Sequence, residues 1–361
     1  MTFLFVPHII VYLFVVVILL LVFSRNAALL GFIDKPNTRS SHKGMVPRVG
    51  GIGLFIPYLI LGGVSRLTQS DIIPFSDAYW MVLTVIIALG TVDDRFDIRA
   101  RWKFLVQFSL ATFYIISSGN YVDSLYGLFG IHEIPQVLGI AGSTVFMVFI
   151  INAVNLIDGV DGLCSGVSIL ALYLFVECMG GDYYLTSLIL GLGLIVFLWF
   201  NFSSNEKIFL GDAGSLGLGA ILAMRSLEFL SSKNGYAQEI ELNPILVALL
   251  ILGYPLIDAL RVFILRIYSG VNPFRADKRH IHHDLLNQGL THLEISLLIP
   301  IITIGVILMN KYCFLFLNPI LAFFVSSAIF YLALSHGSMH IQLWYRGSSW
   351  LIWMKKILQT K

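Results

Sequence analysis

Val137-Leu-Gly-Ile-Ala-Gly-Ser-Thr-Val-Phe-Met-Val-Phe-Ile-Ile151-Asn152-Ala-Val-Asn155-Leu-Ile-Asp158-Gly-Val-Asp161-Gly-Leu163 joins an apolar run to a cluster of amides and carboxylates. The run reaches deep into a bilayer, since a spanning helix needs roughly 20 mostly apolar residues. Ionisable groups at the end of such a helix are costly and mark a functional site. Asn152, Asn155 and Asp158 recur every three residues and share one helical face. Gly159 and Gly162 then break the helix, which lets Asp161 and nearby backbone groups face a ligand. Helix capping would need one such residue and leaves the other three unexplained.

The pattern recurs. Other apolar runs end in Asp93-Asp94, in Gly211-Asp212-Ala-Gly214-Ser215, and in a loop with His280-Ile-His282-His283. Across 361 residues, 57% are hydrophobic and 12% charged, with mean hydropathy +0.85. Soluble domains carry about 25% charged residues, so a soluble domain behind a signal peptide is excluded. Phe3 to Ser24 has no basic residue before it and no small-residue cleavage site, and reads as a retained helix.

The sequence therefore predicts an all-α polytopic membrane protein of about eleven transmembrane helices. They fall near 3–24, 48–67, 78–92, 104–120, 137–157, 162–180, 184–201, 213–230, 243–265, 293–310 and 312–335. The segment 213–230 is unusual in holding Arg225 and Glu228, three apart on one face and able to pair inside a bundle. Of the 23 Lys and Arg residues, 19 fall on one side of this topology, Arg66, Lys233 and Lys311 on the other, and Arg225 within the membrane. The positive-inside rule places the N-terminus outside and the C-terminus in the cytoplasm. Every polar cluster then lies on the cytoplasmic side. The expected organisation is one transmembrane catalytic domain, 1–335, with cytoplasmic loops 25–47, 93–103, 152–163, 202–212 and 266–292, and an interfacial tail, 336–361. There is no internal repeat. Cys164, Cys178 and Cys313 have no ligand spacing and read as packing residues. Asp258 and Arg261, at i,i+3, read as a structural ion pair.

Each cluster has its chemistry. Adjacent carboxylates such as Asp93-Asp94 raise one another's pKa and suit base or metal work. Asp212, flanked by glycines at a helix start, can hold a divalent cation where backbone N–H groups meet phosphate. Arg279, His280, His282 and His283 suit phosphate better than zinc, because no cysteine accompanies the imidazoles. Lys43 and Arg48 lie in a basic loop that runs into Gly50-Gly51-Ile-Gly53 and can receive a polyphosphate.

With five motifs in this order, the chain resembles the polyprenyl-phosphate N-acetylhexosamine-1-phosphate transferases of glycosyltransferase family 4. The motifs are Asp34…Gly51, Asp93-Asp94, Asn152…Asp161, Gly211-Asp212…Ser215 and His280…His283. The His-Ile-His-His loop, Arg39-Ser-Ser-His42 and Pro47-Arg48 resemble the bacterial branch that initiates surface polysaccharides. The resemblance implies a Mg²⁺ cofactor, with Mn²⁺ as a substitute, held by Asp212 with help from the amide oxygen of Asn155. It implies that Asp161 reads uracil, that Phe209 stacks on it, and that Asp158 lies near the nucleoside. Asn152, Lys43, Arg48, Arg279 and His280 join the nucleotide and sugar contacts. Asp93 and Asp94 resemble the acidic pair near the lipid phosphate, which Lys103 receives. His282 and His283 complete the catalytic set with Asp93, Asp94 and Asp212.

The implied reaction moves a HexNAc-1-phosphate, by default GlcNAc-1-phosphate, from a UDP-sugar to undecaprenyl phosphate and releases UMP. This would start O-antigen or cell-envelope polysaccharide synthesis at the inner membrane of a bacterium, from a site facing the cytoplasm. Implied partners are the UDP-sugar, undecaprenyl phosphate and membrane lipids, without nucleic acid; a homodimer stays open. A secondary transporter is the alternative, but its charges belong near the bilayer midplane, often in two related halves. An intramembrane aspartyl protease would need Gly-x-Gly before its Asp, where this chain has Phe209-Leu-Gly211.

Overall fold

The computed structural model describes residues 6–34, 44–68, 75–239, 242–272, 279–313, 318 and 320–329. Their regular structure is helical apart from one pair of two-residue strands and isolated bridges. The helices are α1 (Val6–Leu30), α2 (Gly50–Leu67), α3 (Asp77–Phe96), α4 (Ala100–Ser118), α5 (Gln136–Leu156), α6 (Leu163–Met179), α7 (Tyr184–Asn201), α8 (Gly211–Leu230), α9 (Pro244–Ile251), α10 (Gly253–Tyr268), α11 (Ile281–Asn287) and α12 (His292–Cys313). A shorter apolar helix spans Ile320–Ile329. Between α1 and α2, β1 (Ile33–Asp34) pairs antiparallel with β2 (Val46–Pro47), Ile33 opposite Pro47.

Six helices are long and apolar enough to cross a membrane by themselves: α1, α2, α5, α7, α8 and α12. The pair α9 and α10 makes a seventh if it is one bent span. A multi-pass membrane protein follows. Each expected span within the described residues coincides with helix, but the run 243–265 is not straight. It bends by 82° between Ile251 and Gly253. Pro255 has no N–H to bond back to residue 251, which removes a rung of the ladder at that break.

Helix α8 is the axis of the molecule. Every one of its residues except Asp212 is buried, and it packs most extensively against α5 and α3. An all-round buried helix needs small residues wherever neighbours come close. A Cβ on Gly51 of α2 would overlap the backbone of Gly214, and one on Gly90 of α3 would overlap that of Asp212 and Ala213. These contacts draw the ends of α2 and α3 onto the first turn of α8. Arg225 is fully enclosed, with Glu228 at 3.4 Å and Thr186 at 2.9 Å, so the pairing within one face holds. Its guanidinium lies 3.9 Å from the ring centre of Tyr183 and 4.4 Å from that of Phe75.

Candidate active site

At the start of α8 the chain turns through Gly211 at φ 73°, a left-handed conformation that glycine adopts without strain. The first N–H groups of a helix have no partner within it. Asp94 supplies one from α3: Asp212 N donates to Oδ1 at 2.8 Å and Ala213 N to Oδ2 at 3.0 Å. The carboxylate of Asp94 is thereby committed to the backbone of α8. Asp93 points elsewhere. Its Oδ1 accepts from Ile98 N at 2.6 Å, and its Oδ2 meets Lys103 Nζ at 2.5 Å. The same ammonium lies 3.3 Å from Asp212 Oδ2. Lys103 thus bridges two carboxylates from helices far apart in sequence. Asn155 Nδ2 donates to Asp212 Oδ1 at 3.1 Å and to Ser215 Oγ at 2.9 Å. The amide nitrogen of Asn155, and not the oxygen expected from the resemblance, is what faces Asp212. Asn152 bonds Gln107 Oε1 of α4 at 2.7 Å and Val148 O at 2.8 Å, which makes it a tie between α4 and α5.

Past the end of α5, burial first and then the charges of Asp212, Asp94 and Asp161 push the Asp158 carboxyl well above the usual carboxylate range. Arg48 is the cation that opposes them. Arg48 itself pairs with Asp34 at 2.5 Å. It is seated beside Phe209 because Phe209 N donates to Pro47 O at 2.8 Å and Gly50 N donates to Phe209 O at 2.9 Å. Burial alone would raise the Asp161 carboxyl, but hydrogen bonds from His292 and Lys207 outweigh it and hold the group below its ordinary value. Lys43 lies outside the described residues.

The histidine stretch is not a free loop. His280 precedes α11, its Nδ1 2.7 Å from Asp258 Oδ2, while Ile281 N donates to Asp258 Oδ1 at 2.9 Å. Asp258 is fully buried, and Arg261 stands off at 3.9 Å. The expected Asp258–Arg261 pair is therefore secondary to an Asp258–His280 contact. His282 Nδ1 meets Tyr254 Oη at 3.2 Å, while its Nε2 is buried without a partner. Burial, then His283, His280 and His292, keep this imidazole well below its ordinary pKa, so it is neutral. A Cβ on Gly159 would come within 2.9 Å of His282 Nε2 and 3.5 Å of His283, so the histidines abut the Asp158 turn. Arg279 Nη1 donates to Ser269 Oγ at 3.0 Å, and Arg279 O accepts from Arg261 at 2.7 Å.

Four residues not foreseen as part of the site support it. Lys207 and His292 grip Asp161, Asp258 orients His280, and Asn201 ties the Asp161 turn to the Phe209 stretch. Lys207 stands two residues before Phe209, a proximity visible in the chain. His292 lies 131 residues beyond Asp161 and has no local signal.

Among the described residues no three His, Cys, Asp or Glu side chains converge as a ready metal cage. Mg²⁺ rarely uses one: it keeps waters and binds one or two carboxylates together with substrate phosphates. Asp212 and Asp93 offer such oxygens, with the Lys103 ammonium between them. The residues present fit a divalent cation.

The protein is thus a multi-pass membrane protein in which carboxylates, a lysine and histidines gather at helix ends. The model of glycosyl transferase family 4 matches residues 77–230, from α3 through α8. A probable undecaprenyl-phosphate N-acetylglucosaminyl 1-phosphate transferase of Bacillus subtilis (strain 168) is 33% identical over 305 residues, 81% of this chain and 80% of that protein. The undecaprenyl-phosphate alpha-N-acetylglucosaminyl 1-phosphate transferase of Haemophilus influenzae is 32% identical over 303 residues, 80% of this chain and 82% of its own. The Escherichia coli (strain K12) protein of the same description is 30% identical over 302 residues, 78% and 77% of the two chains. The chain belongs to glycosyl transferase family 4.

Proposed function

We propose that this protein transfers GlcNAc-1-phosphate, or a related HexNAc-1-phosphate, from a UDP-sugar to undecaprenyl phosphate, releasing UMP and starting a lipid-linked polysaccharide. The observation that carries the reading is Lys103 held between Asp93 and Asp212. An ammonium on a surplus of carboxylate can accept a phosphate without leaving its partners. The names of the relatives supply the substrates that this arrangement suits.

The phosphate of the lipid is its own nucleophile, since its second pKa is about 6 and it is largely dianionic at neutral pH. One oxygen forms a bond to the sugar-bearing β-phosphorus as the bond from that phosphorus to the bridging oxygen breaks, and UMP leaves with the electron pair. Lys103 receives and aligns the incoming phosphate, with Asp93 orienting the ammonium. Asp94 holds the first turn of α8 so that Asp212 stays aimed. Asp212, with Asn155 beside it, would hold a Mg²⁺, which when bound would supply positive charge against the pyrophosphate. His280, His282, His283 and Arg279 border the transferring phosphoryl group; Asp258 and Tyr254 fix two of those rings. Positioning and electrostatics of this kind supply most of the acceleration in phosphoryl transfer. Asp158, Asp161, Phe209, Arg48 and Lys43 form the nucleoside side.

The topology belongs to the same proposal: eleven passes, N-terminus outside, C-terminus cytoplasmic, and the site at the cytoplasmic face of the bacterial inner membrane. Purified protein with Mg²⁺ and undecaprenyl phosphate, given a panel of UDP-sugars, should yield UMP and a sugar-pyrophosphoryl lipid from one of them. No UMP from any UDP-HexNAc would remove the reading.

A further inference from the structure

Lys207 Nζ lies 2.6 Å from Asp161 Oδ2 and 5.4 Å from the centre of the Phe209 ring. These side chains come from two stretches that the fold ties together. Asn201 Oδ1 accepts from Gly162 N at 2.7 Å, and its Nδ2 donates to Ile208 O at 2.8 Å. His292, the first residue of α12, places Nδ1 2.9 Å from Asp161 Oδ2 and 3.0 Å from Asp161 N. Both basic groups lean on Oδ2, and no contact is made to Oδ1 among the described residues. Lys207 also lines a cavity of about 520 Å³ with Arg25, Met45, Pro47 and Glu206. The Lys207 side chain is 29% exposed, so it is not sealed in the fold.

We propose that Lys207 is a specificity residue that donates to a carbonyl oxygen of the nucleobase while Asp161 Oδ1 accepts its N–H, His292 holding Asp161 in place. The proposal rests on the UDP-sugar reading above and adds Lys207 and His292 to it. An ammonium has three donors; one stays on Asp161 Oδ2 and another is available to the ligand. The imide edge of uracil presents one N–H between two carbonyl oxygens, so a carboxylate beside an ammonium matches N3–H and one flanking oxygen. Cytosine presents a lone pair at N3, which would face the carboxylate. A site built to hydrogen-bond one partner rejects the analogue that leaves its polar groups unpaired.

The test uses the full-length protein in detergent. In Lys207→Met the apparent KM for UDP-GlcNAc should rise about tenfold to a hundredfold, the range for a lost hydrogen bond to a charged group. The KM for undecaprenyl phosphate should stay put. On the native protein one of 2-thio-UMP and 4-thio-UMP, in which sulfur replaces one carbonyl oxygen, should inhibit more weakly than UMP, and equal binding of all three overturns the proposal. In Lys207→Met that difference should vanish while UMP is still preferred over CMP, because Asp161 Oδ1 remains, and Lys207→Arg should restore part of the difference. A purely structural lysine would weaken UMP and both thio analogues equally and leave their ratios unchanged, which would overturn the proposal. If the native protein shows no preference for UMP over CMP, the UDP-sugar reading falls with it. If that preference is present but the thio difference survives Lys207→Met, Lys207 alone is wrongly assigned.

Discussion

Asp93 and Asp94 are neighbours in the chain but have different partners in the fold, and the difference is measurable. Asp94 accepts two backbone N–H groups at the start of α8. Asp94→Ala leaves them unpaired, so thermal melting should show a loss of about 1–2 kcal/mol, the cost of a missing cap, together with lower activity. Asp212→Asn should behave otherwise: melting nearly unchanged, turnover lower by about a hundredfold or more, as when a main electrostatic partner of the transition state is lost. EDTA should inactivate the native protein, and Mg²⁺ or Mn²⁺ should restore it. Full activity in EDTA would dispose of the metal. The sequence made both acids visible because charged residues at the end of an apolar run stand out. It did not show their division of labour, which depends on a contact 118 residues away. The tie from Asn152 to Gln107 was hidden for a related reason: a shared helical face with Asn155 says nothing about the neighbouring helix.

At the scale of elements, helix positions were legible because long apolar runs announce themselves, and α7 was expected at the very residues it occupies. The 82° break between α9 and α10 was not, because the apolar pattern runs through it unbroken. Close packing is the other feature hidden from hydropathy. Gly51 touches the backbone of α8 at Gly214. Gly51→Ala should push α2 off α8 and cost on the order of 1–3 kcal/mol, the usual penalty of overpacking, read as a lower melting temperature. Gly63, on the same helix with open space around it, is the control and should tolerate alanine. The histidine element adds a pH dependence. His282 is neutral in the fold because burial lowers its pKa, whereas an unfolded chain protonates it below about pH 6.5. Its contribution to stability is complete above that value and declines as pH falls, since the unfolded state then binds the extra proton. The change in melting temperature from pH 7.5 to 5.5 should therefore be more negative in the native protein than in His282→Asn. Equal slopes would show that His282 is not held neutral.

Over the whole molecule two clusters of buried charge stand apart along α8. One end starts at Asp212; the other holds Arg225 and Glu228 among Tyr114, Tyr183, Phe75 and Thr186. Arg225→Ala would leave Glu228 buried without its cation, a loss of about 3–5 kcal/mol for a broken buried pair, so its yield in folded form should drop sharply. Because Arg225 is about four helical turns from Asp212, at 1.5 Å rise per residue, any Arg225 variant that does fold should keep its KM values. That two-ended arrangement makes orientation the decisive property of the molecule. On the proposed topology residues 93–103, 152–161 and 275–283 share the side of the C-terminus, and the structure brings parts of all three segments together around Asp158, Gly159 and Asp212. Single cysteines introduced at exposed positions of these segments, such as Arg99 or Arg279, after Cys164, Cys178 and Cys313 are replaced, should react with a membrane-impermeant thiol reagent only once the cells are opened. A cysteine at Phe129, exposed in the α4–α5 connection at the opposite end, should react in intact cells. Labelling of any of the first group from outside would place the carboxylate cluster away from the cytoplasm, where UDP-sugars are not supplied, and the proposed transferase reaction could not take place there.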